Sequence, residues 1–151
     1  MVGRFQFDKP GGAAPGKLGG MTARAPQLRR ITANLVVDAI EPCLPFWCGR
    51  LGFEQTAAVP HEDALGFVIL ARDGVELMLQ SRASVAADVA PLATESFRSA
   101  LYLEVASLAP WRTALADVAR VVPDRRTFYG ADEILVRDPA GNVVVFAAHS
   151  G

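Results

Sequence analysis

Residues 67–79, FVILARDGVELML, predict two β-strands joined by a two-residue turn. The flanks at 67–72 and 75–81 are rich in apolar side chains, and only Asp73 and Gly74 stand between them. Asp-Gly is a strong hairpin signal, because both turn residues need positive φ angles that aspartate tolerates and glycine adopts freely. The stretch therefore predicts an antiparallel hairpin in the first half of the chain.

A similar pattern returns near the end of the chain, in residues 133–146, EILVRDPAGNVVVF. Both stretches have an apolar strand, an Arg-Asp pair, a turn that contains glycine and a second strand. In the later turn, Pro139 suits position i+1 and Gly141 suits the left-handed position. This repetition predicts two similar modules that must pair, because one such unit is too small to bury a core alone.

The first module is predicted to have the order βαβββ. Alternating side chains over 31–37 predict a strand. A helix follows, which we expect Asp38 to cap and Gly52 to end. A weakly patterned strand over 53–59 then leads to the first hairpin, so this module spans about residues 31–82.

The second module repeats this order over about residues 98–149. A strand over 99–106 leads to a helix that we expect Ser107 to cap. A short strand at 121–122 precedes the second hairpin. An Ala- and Pro-rich linker over 83–97 is predicted to join the two modules.

Composition limits the classes of protein to be considered. The chain has 151 residues, of which 51% are apolar and 21% charged. One compact domain of this length and composition can bury a sizeable core, and disorder throughout is excluded. No apolar run approaches the roughly 18 residues of a transmembrane helix, so no membrane contact is expected. A net charge of −1 argues against a nucleic-acid partner.

The charge is unevenly distributed along the chain. Residues 1–30 carry +5 and are rich in glycine, which predicts a flexible basic tail. Residues 31–151 carry −6 and form the predicted folded domain. Cys43 and Cys48 lie on different sides of the predicted helix and are expected to be free thiols. Since no secretory signal is recognised, the chain is expected to be cytoplasmic.

Two motifs resemble a known family. The first is FW at 46–47 followed by RLGF at 50–53, and the second is RDPAGN at 137–142. They are similar to motifs of the vicinal oxygen chelate superfamily, and within it most similar to the bleomycin-resistance branch. The resemblance implies an α+β fold, in which two paired βαβββ modules form a cupped mixed sheet with helices on the convex face. It also implies a homodimer with ligand grooves at the subunit interface.

Enzymes of this superfamily hold a divalent cation with His, Gln and Glu side chains. The corresponding positions here are Thr32, Glu76 or Met78, Ala100 and Val145. Only Glu76 is a strong ligand type, whereas a hard divalent ion needs several such ligands. We interpret His61 and His149 as solvated surface residues. Because this chain departs from the superfamily's ligand pattern, we expect it to hold neither a metal nor another cofactor.

The concave face of the sheet is the candidate ligand site. Strand alternation places six side chains there, and a seventh lies at its rim. Together they offer aromatic, thioether, amide and carboxylate groups, and they are Asn34, Glu76, Met78, Gln80, Tyr102, Glu104 and, at the rim, Tyr129. Aromatic rings can stack on a planar ligand or face a cation.

The sequence thus predicts a metal-independent binding protein of the bleomycin-resistance type, which sequesters a planar or cationic antibiotic-like small molecule without breaking a bond. The negative charge of the folded part favours cations over anions. Two alternatives stay open. One is an enzyme of the same superfamily, such as a lyase, isomerase or dioxygenase, in which Glu76 or Glu104 would be the general base of a metal-independent reaction. The other is a module that binds a partner protein through the cup.

Overall fold

The computed structural model of the protein describes Pro26 and residues 30–149. Apart from Pro26 and Arg30, the predicted tail over 1–30 lies outside the described residues. The compact unit that carries both modules spans Thr32–Gly151. Its elements follow each other in the order expected for two βαβββ modules.

The first module forms a four-stranded mixed sheet. Its strands are β1 (Ala33–Val37), β2 (Glu54–His61), β3 (Ala64–Arg72) and β4 (Val75–Ser81). They lie in the order β1-β4-β3-β2. β1 is parallel to β4, whereas the β2–β3 and β3–β4 pairs are antiparallel.

The second module repeats this topology. Its strands are β5 (Ala100–Glu104), β6 (Arg125–Arg126), β7 (Ala131–Arg137) and β8 (Val143–His149), in the order β5-β8-β7-β6. β5 is parallel to β8, and the other two pairs are antiparallel. The prediction of an α+β fold built from two βαβββ modules is confirmed.

The helical segments are short. A 3-10 turn at Glu41–Cys43 runs into a π-helix at Pro45–Arg50. α1 spans Arg82–Asp88 and is followed by a 3-10 turn at Ala90–Leu92, and α2 spans Ala109–Ala114. In the described part of the chain, no helix has the length and apolar content that a bilayer crossing requires.

The start of the first helical segment differs from the prediction. Asp38 does not cap it; Ile40 precedes the 3-10 turn without a side-chain cap, and Asp38 instead accepts a hydrogen bond from Arg82 Nε at 3.0 Å. The reason lies in Pro42 and Pro45, which lack the N–H groups that a regular α-helix would use. Each proline sits at the start of its own short segment, where a missing N–H is tolerated.

Two further expectations need correction. Much of the linker over 83–97 is helical, because Ser81 Oγ accepts the Ser84 N–H at 3.2 Å and caps α1. The prediction of a strand at 121–122 is wrong. The chain makes a single bridge there, between Arg120 and Val136, and the short strand of this module is β6.

Both hairpin turns have the predicted geometry. Asp73 and Gly74 have φ angles of 50° and 76°, as a two-residue turn of this type requires. In the longer turn, the Asp138 N–H donates to the carbonyl of Asn142 at 2.9 Å, and Gly141 has a φ of 86°. These turns fix the registers of β3 with β4 and of β7 with β8.

The core is built around Trp47, whose side chain is 0% exposed. Its ring makes edge-on contacts with Phe46 and Phe53, at centroid distances of 5.4 and 5.6 Å. Buried residues of both modules, such as Leu79 and Phe146, belong to the same cluster. Burial of one face of each sheet leaves the alternate side chains free to form a site on the other face.

Candidate functional site

Three of the predicted site residues meet on the first sheet. Asn34 lies opposite Met78, and its amide nitrogen donates to the Gln80 side-chain oxygen at 2.9 Å. Gln80 Nε2 in turn donates to Ser84 Oγ at 3.3 Å. These amides therefore have partners within the protein, and none of the three residues lines the large cleft described below.

The second sheet places two carboxylates on one face. Glu104 of β5 lies opposite Ala147 of β8, and Ala147 lies opposite Glu133 of β7. Since neighbouring strands are about 4.8 Å apart, Glu104 and Glu133 flank Ala147 in one row. Tyr102, two residues before Glu104, belongs to the same face.

Glu133 is the most buried carboxylate of this face, with 1% of its side chain exposed. One of its oxygens accepts the Tyr129 hydroxyl at 2.6 Å, and the other accepts Arg125 Nε at 3.0 Å. A carboxylate buried without such partners would cost several kcal/mol, so the two contacts are what permits Glu133 at this position.

His149 extends this arrangement to the cleft side. Its Nε2 lies 3.2 Å from the Tyr102 hydroxyl oxygen, and its ring lies 6.4 Å from the ring of Tyr129. We call Tyr102, Arg125, Tyr129, Glu133 and His149 the Tyr–Glu cluster. It joins β5, β6, β7, the loop before β7 and the end of β8 into one polar network.

The two tyrosines of the Tyr–Glu cluster are held as neutral phenols. Burial, followed by the nearby charges of Tyr129 and Glu133, raises the pKa of Tyr102. The hydrogen bond to Glu133 is the main cause that raises the pKa of Tyr129. Both rings also remain accessible, since Tyr102 is 51% exposed and Tyr129 is 39% exposed.

A large open cleft of about 990 Å³ adjoins the cluster at Tyr102. Its lining is mostly apolar and comes from both modules. The residues that carry its chemistry are Trp47, Arg50, Phe53, Arg72, Asp73, Glu76, Tyr102, Glu104 and Trp111. The predicted site residues Glu76, Tyr102 and Glu104 are therefore brought together here.

The arginines of the cleft are already neutralised by the protein. Arg50 forms a bidentate ion pair with Asp117, in which Nη2 and Oδ2 are 2.7 Å apart. Arg72 donates to the Leu51 carbonyl and pairs with Asp73 at 3.1 Å. Its guanidinium also lies 4.9 Å from the centre of the Trp111 ring. These groups leave little positive charge for an anionic ligand.

Glu104 differs from these paired groups. Its side chain is exposed, and it makes no hydrogen bond or ion pair with any residue that the structure describes. Beside it stands the exposed ring of Tyr102. An unpaired carboxylate next to an accessible aromatic ring favours a cation with a flat surface.

The residues do not fit a divalent metal ion. The positions transferred from the superfamily are Thr32, Glu76 or Met78, Ala100 and Val145, and Glu76 is the strongest donor among them. Within the described residues, no three His, Cys, Asp or Glu side chains come together as a metal-binding group. The side chains at these positions therefore lack the donor set that the metal-dependent enzymes use.

Cysteine chemistry is also disfavoured. Cys43 is a buried free thiol, and burial, followed by the charges of Asp138 and Asp38, raises its pKa to about 11. Burial raises the pKa of Cys48 as well. Because the thiolate is the nucleophile, neither residue is suited to attack a substrate at neutral pH.

Sequence reasoning did not select Arg125, Glu133 or His149 as site residues. Glu133 was the one that could have been found, because it begins the apolar strand EILV and alternation places it on the same face as Leu135. The signals for Arg125 and His149 were weaker. Their roles depend on the pairing between β6, β7 and β8, and an arginine or a histidine in the sequence does not by itself indicate that pairing.

No protein-family model and no curated protein matches this sequence. Solved structures do resemble it. A glyoxalase/bleomycin resistance protein/dioxygenase from Nocardioides is 17% identical, with a TM-score of 0.65 over 83% of this chain and 87% of that one. A lactoylglutathione lyase from Agrobacterium tumefaciens is 18% identical, with a TM-score of 0.65 over 82% of this chain and 95% of that one.

A third similar structure is that of TnmS3, an antibiotic binding protein from Streptomyces sp. CB03234. It is 19% identical, with a TM-score of 0.58 over 83% of this chain and 100% of that one. At these identities the likeness concerns the fold, and the structures that share it include both a lyase and a binding protein. The chain therefore shares the fold of these structures, which include a glyoxalase/bleomycin resistance protein/dioxygenase.

Proposed function

We propose that this protein binds and sequesters a planar, cationic, antibiotic-like small molecule in the cleft, without changing it chemically. The observation that carries the proposal is the unpaired carboxylate of Glu104 beside the exposed ring of Tyr102, in a cleft whose arginines are neutralised. A homodimer, as the superfamily resemblance implies, and a cytoplasmic location are part of this proposal.

The energetics of such a site favour a flat cation. Stacking on Tyr102 would remove apolar surface of ring and ligand from water, and a cation held over an aromatic ring gains about 0.5–2 kcal/mol. Glu104 would add a charge-assisted hydrogen bond. The charge of −6 on residues 31–151 would also raise the local concentration of cations.

The arrangement of the polar side chains at the site favours ligand binding over catalysis. A general base must lie within reach of the proton that it removes and needs a second group to complete the reaction. Glu104, one of the two candidate bases, makes no hydrogen bond to a second polar group among the described residues. In the Tyr–Glu cluster, Tyr129 and Arg125 are both bound to Glu133. The existence of an antibiotic binding protein with this fold, TnmS3, supports the same reading.

Removal of the Glu104 charge tests the proposal. We expect Glu104→Gln to weaken binding of a planar cationic antibiotic about tenfold, because a hydrogen bond to a charged group contributes about 1.5–3 kcal/mol. Ligand-induced shifts of the thermal unfolding midpoint, measured over a range of concentrations, report the affinity. The matched control is Glu95→Gln, which removes one exposed carboxylate outside the cleft.

The control should bind as the unmodified protein does. If both variants bind equally well, the charge of Glu104 has no part in recognition and the proposal is wrong.

A further inference from the structure

Trp111 presents an aromatic ring to the cleft from the second module. It belongs to α2, is half-buried and lines the cleft together with Tyr102. Phe146 packs against the Trp111 ring at a centroid distance of 4.9 Å, and Phe146 is fully buried and does not line the cleft. One side of the indole therefore rests on the core, and the other side borders the cleft.

Arg72 of the first module covers the Trp111 ring at the cleft. Its guanidinium carbon lies 4.9 Å from the centre of that ring, and Arg72 itself lines the cleft. A guanidinium is a flat cation, and the negative face of an aromatic ring attracts such cations. Arg72 thus occupies the kind of position that a flat cationic ligand would take.

The contacts that hold Arg72 over the ring are few. It donates to the Leu51 carbonyl and forms an ion pair with Asp73 at 3.1 Å. The Asp73 side chain is 82% exposed, and an ion pair with so exposed a partner contributes little to stability. The Arg72 side chain is 36% exposed, so it has solvent beside it into which it can turn. Because Phe146 supports the Trp111 ring from the other side, displacement of Arg72 leaves the core intact.

Building on the proposed function, we infer that Trp111 is a second stacking surface of the site and that Arg72 determines which cations reach it. A ligand must take the place of the guanidinium and offset the loss of its hydrogen bond to Leu51. A cation no larger than guanidinium gains nothing by this exchange. A cation with fused aromatic rings covers more of the indole, removes more apolar surface from water and keeps a positive charge over the ring. The site thus selects fused aromatic cations over small ones.

Removal of the guanidinium tests this inference. Arg72→Gln keeps an amide group that can donate to the Leu51 carbonyl, but it has no charge that would hold it over Trp111. The probe is aminoacridine, a fluorescent fused-ring cation near neutral pH, and fluorescence titration of the full chain gives its dissociation constant. We expect Arg72→Gln to bind aminoacridine more tightly than the unmodified protein does, because the probe no longer competes with a cation–π contact.

Arg50→Gln is the matched control for charge. Arg50 also lines the cleft and pairs with an exposed aspartate, but it has no ring contact within the described residues. Each substitution removes one positive charge from the cleft and releases one aspartate, whereas Arg72→Gln alone uncovers a ring. Arg72→Gln should therefore bind aminoacridine at least about threefold more tightly than Arg50→Gln, since a cation–π contact contributes about this much.

Two further variants locate the origin of the effect. Trp111→Leu, introduced together with Arg72→Gln, removes the ring and should return the affinity to that of Arg50→Gln or below. Arg72→Lys keeps the charge and a donor but lacks the flat head group, so it should bind aminoacridine more tightly than the unmodified protein does. It replaces Arg72→Gln in the test if that variant does not fold. Thermal unfolding without aminoacridine shows whether each variant is folded.

Equal affinities of Arg72→Gln and Arg50→Gln, or a gain that persists without the Trp111 ring, overturn the inference. If Arg72→Lys has to be used, an affinity no higher than that of the unmodified protein does the same. Binding of aminoacridine by the unmodified protein leaves the proposed function standing in these cases. If aminoacridine binds neither the unmodified protein nor any variant, the proposed function is wrong and the inference falls with it.

Discussion

Replacement of Trp47 by alanine is expected to lower the free energy of unfolding by about 3–5 kcal/mol, the usual cost of removing a buried aromatic side chain. Trp47 is fully buried and makes ring contacts with Phe46 and Phe53. Urea unfolding followed by circular dichroism measures the change.

Trp47→Phe is the informative control. The indole N–H of Trp47 has no hydrogen-bond partner in the described part of the protein, so phenylalanine removes volume and no hydrogen bond. We expect a loss of about 1–2 kcal/mol. If Trp47→Ala were as mild as this control, Trp47 would not be the centre of the core.

The second large effect is expected at the turn of the second hairpin. Asp138 is buried, with 4% of its surface exposed, and its side chain accepts three hydrogen bonds. Oδ1 accepts the N–H groups of Asn142 and Ala140 at 2.7 and 3.0 Å, and Oδ2 accepts Asn142 Nδ2 at 3.0 Å. Asp138→Asn should cost about 2–3 kcal/mol, because its new NH₂ group would face the NH₂ group of Asn142.

Asn142 cannot relieve this conflict by turning its amide, since its oxygen already accepts the Ser99 N–H at 2.8 Å. The repeated architecture supplies a matched control in the first hairpin. Asp73 is exposed and has a φ of 50°, which asparagine also tolerates, so Asp73→Asn should change stability by less than about 0.5 kcal/mol. Equal losses from the two substitutions in urea unfolding would contradict this account of the turn.

The fold could be predicted because its signals are local and occur twice. Asp73-Gly74 and Pro139-Ala140-Gly141 each determine a turn, and each turn determines the register of the strands beside it. The segment from Glu41 to Arg50 was harder to predict. Its apolar spacing suits an α-helix, but Pro42 and Pro45 divide it into a 3-10 turn and a π-helix.

The candidate site was predictable only in part. Alternation within β5 placed Tyr102 and Glu104 on one face, and both line the cleft. The role of Glu133 depends on contacts between strands, namely with Tyr129 in a loop and Arg125 in a two-residue strand. Such contacts arise from tertiary packing, which cannot be predicted from the periodicity of a single strand.

We expect stacking and hydrogen bonding to contribute separately to the proposed binding. The cleft supplies apolar surface and room for a flat ring, and Tyr102 belongs to both the cleft and the Tyr–Glu cluster. Glu104, which also lines the cleft, supplies the unpaired acceptor. A ligand in the cleft would be held by stacking on Tyr102 and by a hydrogen bond to Glu104.

The most direct test of capture without chemistry is to measure the bound ligand itself. The full chain is titrated calorimetrically with a planar cationic antibiotic, and the ligand is then released by denaturation and examined by mass spectrometry. We predict saturable binding of one ligand per chain and recovery of the ligand at its original mass. Absence of saturable binding, or recovery of a product of different mass, would contradict the account.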